Sequence, residues 1–79
     1  MSNINFIRQG EYNRNVIAQF LIKRRGVKYS VRTISDEIGL NKASVRTHCH
    51  QLTRENPEIN LKALRVEGVM RKVDHFFAI

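Results

Sequence analysis

Seventy-nine residues make one domain, and a chain this short buries only about 60% of the surface its unfolded form exposes, so it can build one compact core. Fourteen Lys/Arg against seven Asp/Glu give a formal net charge of +7 and a sequence pI near 10.4, which favours a polyanionic partner, because each phosphate neutralised releases a condensed counterion. The single cysteine, Cys49, excludes an internal disulfide, and no apolar run approaches the roughly 20 residues of a membrane span.

Residues 1–10 read as a short N-terminal arm with an apolar cluster of Ile4, Phe6 and Ile7 that ends at Gly10, suited to an edge strand or to packing on the core. A first helix is predicted over residues 11–25, where Tyr12, Val16, Ile17, Phe20 and Leu21 form one apolar stripe. Lys23, Arg24 and Arg25 complement its C-terminal dipole, and Gly26 stops it. Val27, Lys28 and Tyr29 favour a very short strand. Ser30 is an N-cap residue for a second helix over residues 31–38, with Val31, Ile34 and Ile38 on its buried face. Gly39 suits a sharp exit, Leu40 plugs the turn, and Asn41 caps a third helix over residues 42–55. Val45, Cys49 and Leu52 face inward there, leaving Lys42, Arg46, Thr47, His50, Gln51 and Arg54 outside. Asn56-Pro57 ends that helix, since the residue before proline is driven out of the helical region. The period then changes: Ile59, Leu61 and Ala63 alternate as a strand, Glu67-Gly68 makes a hairpin turn, and Val69 to Ile79 supplies a second strand. The class is α+β: three helices, a short strand before the second, and a C-terminal β-hairpin.

Charge is concentrated within this order. Residues 23–54 hold eight Lys/Arg against two acids, Asp36 and Glu37, and no acid lies between Lys42 and Arg54.

The segment from Ile34 to Leu52 resembles the helix-turn-helix of bacterial and phage winged-helix regulators. The likeness rests on apolar Ile34 and Ile38 spaced by three polar residues, on Gly39-Leu40, on capping Asn41, on Ser44-Val45, and on Cys49 and Leu52. With the preceding helix and following hairpin it covers roughly residues 11–79. It implies a small winged helix-turn-helix domain whose third helix enters the major groove, about 12 Å wide. The implied base readers are Lys42, Ala43, Ser44, Arg46, Thr47 and His50; Asn41 and Arg54 complete the implied DNA-binding set of that helix, and Asn41 and Ser44 equally suit phosphates. Arg46 is suited to guanine and Ala43 or Thr47 to a thymine methyl. Lys28, Ser30, Arg32 and Thr33 are the implied backbone contacts at or near the N-terminus of the second helix, with a solvated surface charge the alternative for Arg32 and Lys28. Lys62, Arg65, Arg71 and Lys72 make the hairpin a basic wing, with Glu67 at its tip opposing phosphate; a hairpin that only seals the core is the alternative.

Other chemistry lacks its parts. His48, Cys49 and His50 are consecutive on a helix, about 100° apart per residue, and cannot jointly chelate a metal. Asp36 and Glu37 lie on different sides of a short helix, and no glycine-rich phosphate loop or nucleophile motif is present. No catalytic residue, metal or cofactor is therefore expected. Tyr12, Phe20, Phe76 and Phe77 are expected in the core, although Phe6 or Phe76/Phe77 could instead seal a dimer. The expectation is a sequence-specific transcription regulator that binds double-stranded DNA as a homodimer in the cytoplasm, at the nucleoid. Contact with RNA polymerase or another regulator is possible, and no membrane is involved. The alternatives are a protein-interaction module of the same shape and a non-specific architectural or replication accessory.

Overall fold

The computed structural model describes the backbone of residues 2–79 and the side chains from residue 10 onward. Three helices, α1 (Ser2–Ile22), α2 (Val31–Ile38) and α3 (Lys42–Glu55), are combined with three strands, β1 (Tyr29–Ser30), β2 (Ile59–Leu64) and β3 (Val73–Ala78). The strands form one antiparallel sheet in the order β1-β3-β2. The chain is thus a small α+β domain.

The segment from α2 to α3 follows from local chemistry. Ser30 is the last residue of β1 and also the N-cap of α2, where its side chain accepts from the Thr33 N–H at 3.2 Å. Gly39 closes α2 at φ +81°, a left-handed conformation that costs glycine little, and its N–H donates to the Ser35 carbonyl at 2.8 Å. The buried Ser35 hydroxyl donates to the Leu40 carbonyl and so braces the turn from within. Asn41 then caps α3 by accepting from the Ala43 N–H at 2.7 Å. Both helices have the bounds read from the sequence.

The first helix differs at both ends. It begins at Ser2, so the backbone expected as an arm is helical; the Ile4, Phe6 and Ile7 side chains lie outside the described residues. Gly10 does not adopt positive φ, unlike Gly26, Gly39 and Gly68, so it does not break the helix. The helix ends at Ile22 instead of Arg25 because the next turn tightens: the Arg24 N–H bonds Leu21 at 3.1 Å, and Gly26 turns at φ +84° to give its N–H to Ala78 of β3 at 2.7 Å. Arg24 still serves the helix end, donating to the Phe20 carbonyl at 3.1 Å and lying 4.1 Å from the Phe20 ring centroid.

The hairpin also differs. Gly68 has φ +81° within a turn closed by Val69 N–H to Val66 carbonyl at 3.1 Å, as Glu67-Gly68 suggests. Strand pairing begins only at Leu64 opposite Val73, so β3 starts four residues later than expected and residues 65–72 form the connecting loop. The register pairs Ile59 with Ala78 and Leu61 with Phe76 on the face toward the helices, and it resolves the adjacent phenylalanines. Phe76 and Ala78 are fully buried, whereas Phe77 is half-buried beneath Lys28, whose Nζ lies 4.9 Å from its ring centroid.

Ile17 and Leu21 of α1, Ile34 of α2, Val45 and Cys49 of α3, and Ile59 and Phe76 of the sheet form the core. Burying side chains of this size stabilises the fold by about 1.5–3 kcal/mol each. One aromatic expectation is corrected. Tyr12 is 55% exposed and not a core residue, because α1 turns Ile17, Ala18 and Leu21 inward. Phe76 is fully buried, in the core as expected. Among the described residues no helix is long and apolar enough to cross a membrane.

Candidate nucleic-acid interface

The capped N-terminal half of α3 is anchored to the core by Val45 and exposes the residues around it. Val45 is buried, while Lys42, Ala43, Ser44, Arg46 and Thr47 around it are exposed. Helical spacing divides the exposed residues between two flanks. Lys42 and Arg46, four residues apart, occupy the flank toward the hairpin loop. Ala43, Ser44, Thr47 and His48 line a shallow concavity on the other, where the Thr47 hydroxyl donates to the Ala43 carbonyl at 3.0 Å.

Between α3 and the hairpin loop runs a cleft. Val31, Val66 and Val73, buried or half-buried, make its floor with the more exposed Val69. Exposed Arg32 from α2, Lys42 and Arg46 from α3, and Lys72 from the loop form its rim. Ser30 lies at the α2 end and Asp74 contributes the single carboxylate. Four cations against one anion at this site, drawn from three separate segments, create a positive field that attracts an anion larger than any one side chain can serve. The cleft thus brings together residues expected separately as base readers, backbone contacts and wing.

Several expected residues are occupied elsewhere. His50 is half-buried against Phe76, ring centroids 5.3 Å apart and planes at 89°, so it faces the sheet and not the free flank of α3. Thr33 is tied into the α2 cap, its hydroxyl 3.1 Å from that of Ser30. The Asn41 side-chain oxygen is used by the α3 cap. Lys28 covers Phe77 on the opposite face of the sheet from Phe76. Arg54 is exposed in the last turn of α3, remote along the helix from Lys42. Lys62 stands opposite His75 in the β2–β3 ladder, while Arg65 and Arg71 are exposed in the loop outside the cleft lining. Arg25, part of the sequence's basic concentration, pairs with Glu58 at 2.9 Å and donates to the Ile79 carbonyl, which ties the end of α1 to the C-terminus.

Sequence reasoning missed the valine floor and Asp74. Val66 and Val69 flank the turn and carried no charge signal, and Asp74 enters the cleft only through the register that sets it opposite Ala63.

Two other singled-out groups differ in burial, Cys49 lying in the core and His48 half-buried at the surface. Cys49 is fully buried, and desolvation pushes its thiol up to about 12. His48 is held below its ordinary value, first by burial of the ring and second by the neighbouring Arg14 charge. Its Nδ1 is buried without a hydrogen-bond partner. Arg14 itself donates to Gln51, linking α1 to α3. Among the described residues no group of three or more His, Cys, Asp or Glu could hold a metal ion.

No known protein family, characterised protein or solved structure matches the chain.

Proposed function

We propose that the chain is a sequence-specific, double-stranded-DNA-binding transcription regulator of winged helix-turn-helix type, with α3 as the helix that enters the major groove. The supporting observation is the cleft in which Arg32, Lys42, Arg46 and Lys72 converge from α2, α3 and the hairpin loop. A duplex presents one negative charge per about 1.7 Å of axis, an anion long enough to meet all four cations at once. The exposed flanks of α3 then divide the work. Arg46 reads base edges, with Ala43, Ser44 and Thr47 toward the neighbouring pair, while Arg32 and Lys72 hold phosphate on either side. On this reading the protein acts in the cytoplasm, at the nucleoid, by occupying its site on the duplex.

Selection from a random duplex pool, followed by sequencing of the retained fraction, tests the specificity. A regulator enriches a defined motif, palindromic or directly repeated if it works as a dimer, and binds it about 10³-fold or more over bulk DNA. Retention without enrichment would assign an architectural role instead. Absence of retention at moderate salt would leave a protein partner as the occupant of the cleft.

A further inference from the structure

We infer that Met70 is an apolar wedge that enters between stacked base pairs when the basic cleft engages a duplex, so that this protein deforms its DNA; the inference rests on the DNA-binding reading of the cleft. Met70 is 98% exposed, whereas the other exposed large apolar side chains range from 39% at Leu61 to 65% at Ile79. It lies between Val69 and Lys72, both of which line the cleft, yet it is not part of the lining. A ligand that fills the cleft therefore brings Met70 against its own next segment.

The surroundings select the occupant. Loop residues 65–72 carry Arg65, Arg71 and Lys72 against the single carboxylate Glu67, so a polyanion is drawn to the loop. A protein-docking patch takes contiguous apolar area of several hundred Å². Here a half-exposed Val69 and one projecting side chain stand among cations, which matches the alternation of charged backbone and apolar base faces in a duplex. Methionine is unbranched, with a polarizable thioether, and is among the apolar side chains that wedge between base steps. Entry of an apolar side chain between base steps unstacks them, kinks the duplex and reduces its local twist.

Loss of twist can be read without knowledge of the binding site. A closed-circular plasmid is relaxed by a topoisomerase in the presence of wild-type protein or Met70→Ala, then freed of protein and its linking number measured. Binding of each protein to a mixed-sequence 24-base-pair duplex is followed in parallel by anisotropy. Because Met70 touches solvent almost everywhere, its substitution leaves the fold intact. The expected result is a reduced linking number with wild type, an effect at least about threefold smaller per bound molecule with Met70→Ala, and affinity changed by less than about tenfold. Met70→Leu restores most of the effect. Duplex binding by wild type with no change in linking number overturns the wedge and leaves the DNA reading standing, as does an undiminished effect with Met70→Ala. Failure of wild type to bind the duplex overturns both.

Discussion

His50 of α3 stands edge-on against Phe76 of β3, with ring centroids 5.3 Å apart and ring planes at 89°. This contact joins the helix that carries the candidate interface to the centre of the sheet, and it makes His50 a packing residue. An aromatic pair in this geometry is worth about 0.5–1.5 kcal/mol beyond the area it buries. His50→Ala is expected to lower the melting temperature, by roughly 4–8 °C for each kcal/mol lost in a domain of this size. The DNA affinity of the folded variant is expected to stay unchanged. Circular dichroism melts and anisotropy on the same samples separate the two effects. A variant with wild-type stability and lost affinity would return His50 to the interface.

Two glycines respond in opposite directions to the same substitution. A Cβ at either Gly10 or Gly39 would meet nothing within 4 Å, so only backbone conformation decides. Gly39 lies at φ +81°, where alanine costs about 1–2 kcal/mol, whereas Gly10 lies within α1, where alanine gains about 0.5–1 kcal/mol. Urea titration is expected to give a lower midpoint for Gly39→Ala and a higher one for Gly10→Ala. A destabilised Gly10→Ala would contradict the helical backbone through that residue.

His48 links stability to pH. Its folded value lies below 6.5, so the unfolded chain takes up this proton first as pH falls. The sign follows: the contribution is fully present above pH 6.5 and is lost as pH drops from there through the folded value. His48→Gln is therefore expected to lose less melting temperature between pH 7.5 and pH 5 than wild type, with carboxylate protonation common to both proteins. Parallel curves across that range would show that His48 is not held neutral by the fold.

Cys49 is sealed. With its thiol fully buried and pushed up to about 12, almost none of it is thiolate at neutral pH. A thiol-disulfide reagent at pH 8 is expected to leave the native protein unmodified and to react fully in guanidinium. Rapid reaction of the folded protein would place Cys49 at the surface.

How much of this was legible in the sequence follows the range of the interactions. Ser30, Gly39 and Asn41 act on backbone groups within a few residues, so α2, its turn and α3 were readable to the residue. The ends of α1 were not. Its N-terminal extension depends on Gly10 staying helical, and its C-terminal stop on a hydrogen bond from Gly26 to Ala78 at the other end of the chain. The choice of Phe76 over Phe77 for the core depends on pairing register, to which two adjacent aromatics give no local clue. The interface divides likewise. The exposure of Lys42 and Arg46 follows from helical spacing and their proposed role from the resemblance, whereas the loss of His50 to Phe76 and of Arg25 to Glu58 are contacts between distant segments.

The central claim is that the cleft bordered by Arg32, Lys42, Arg46 and Lys72 binds duplex DNA with Arg46 reading bases. Its most direct test is fluorescence anisotropy of wild type and Arg46→Ala on the selected duplex and on an unrelated one, across a salt series. Arg46 is exposed, so its removal leaves the fold intact. The account expects salt-sensitive wild-type binding and a loss of about 1–3 kcal/mol for Arg46→Ala on the selected duplex, with a smaller loss on the unrelated one. Equal affinities of wild type and Arg46→Ala for the selected duplex, or no binding by wild type at moderate salt, would contradict it.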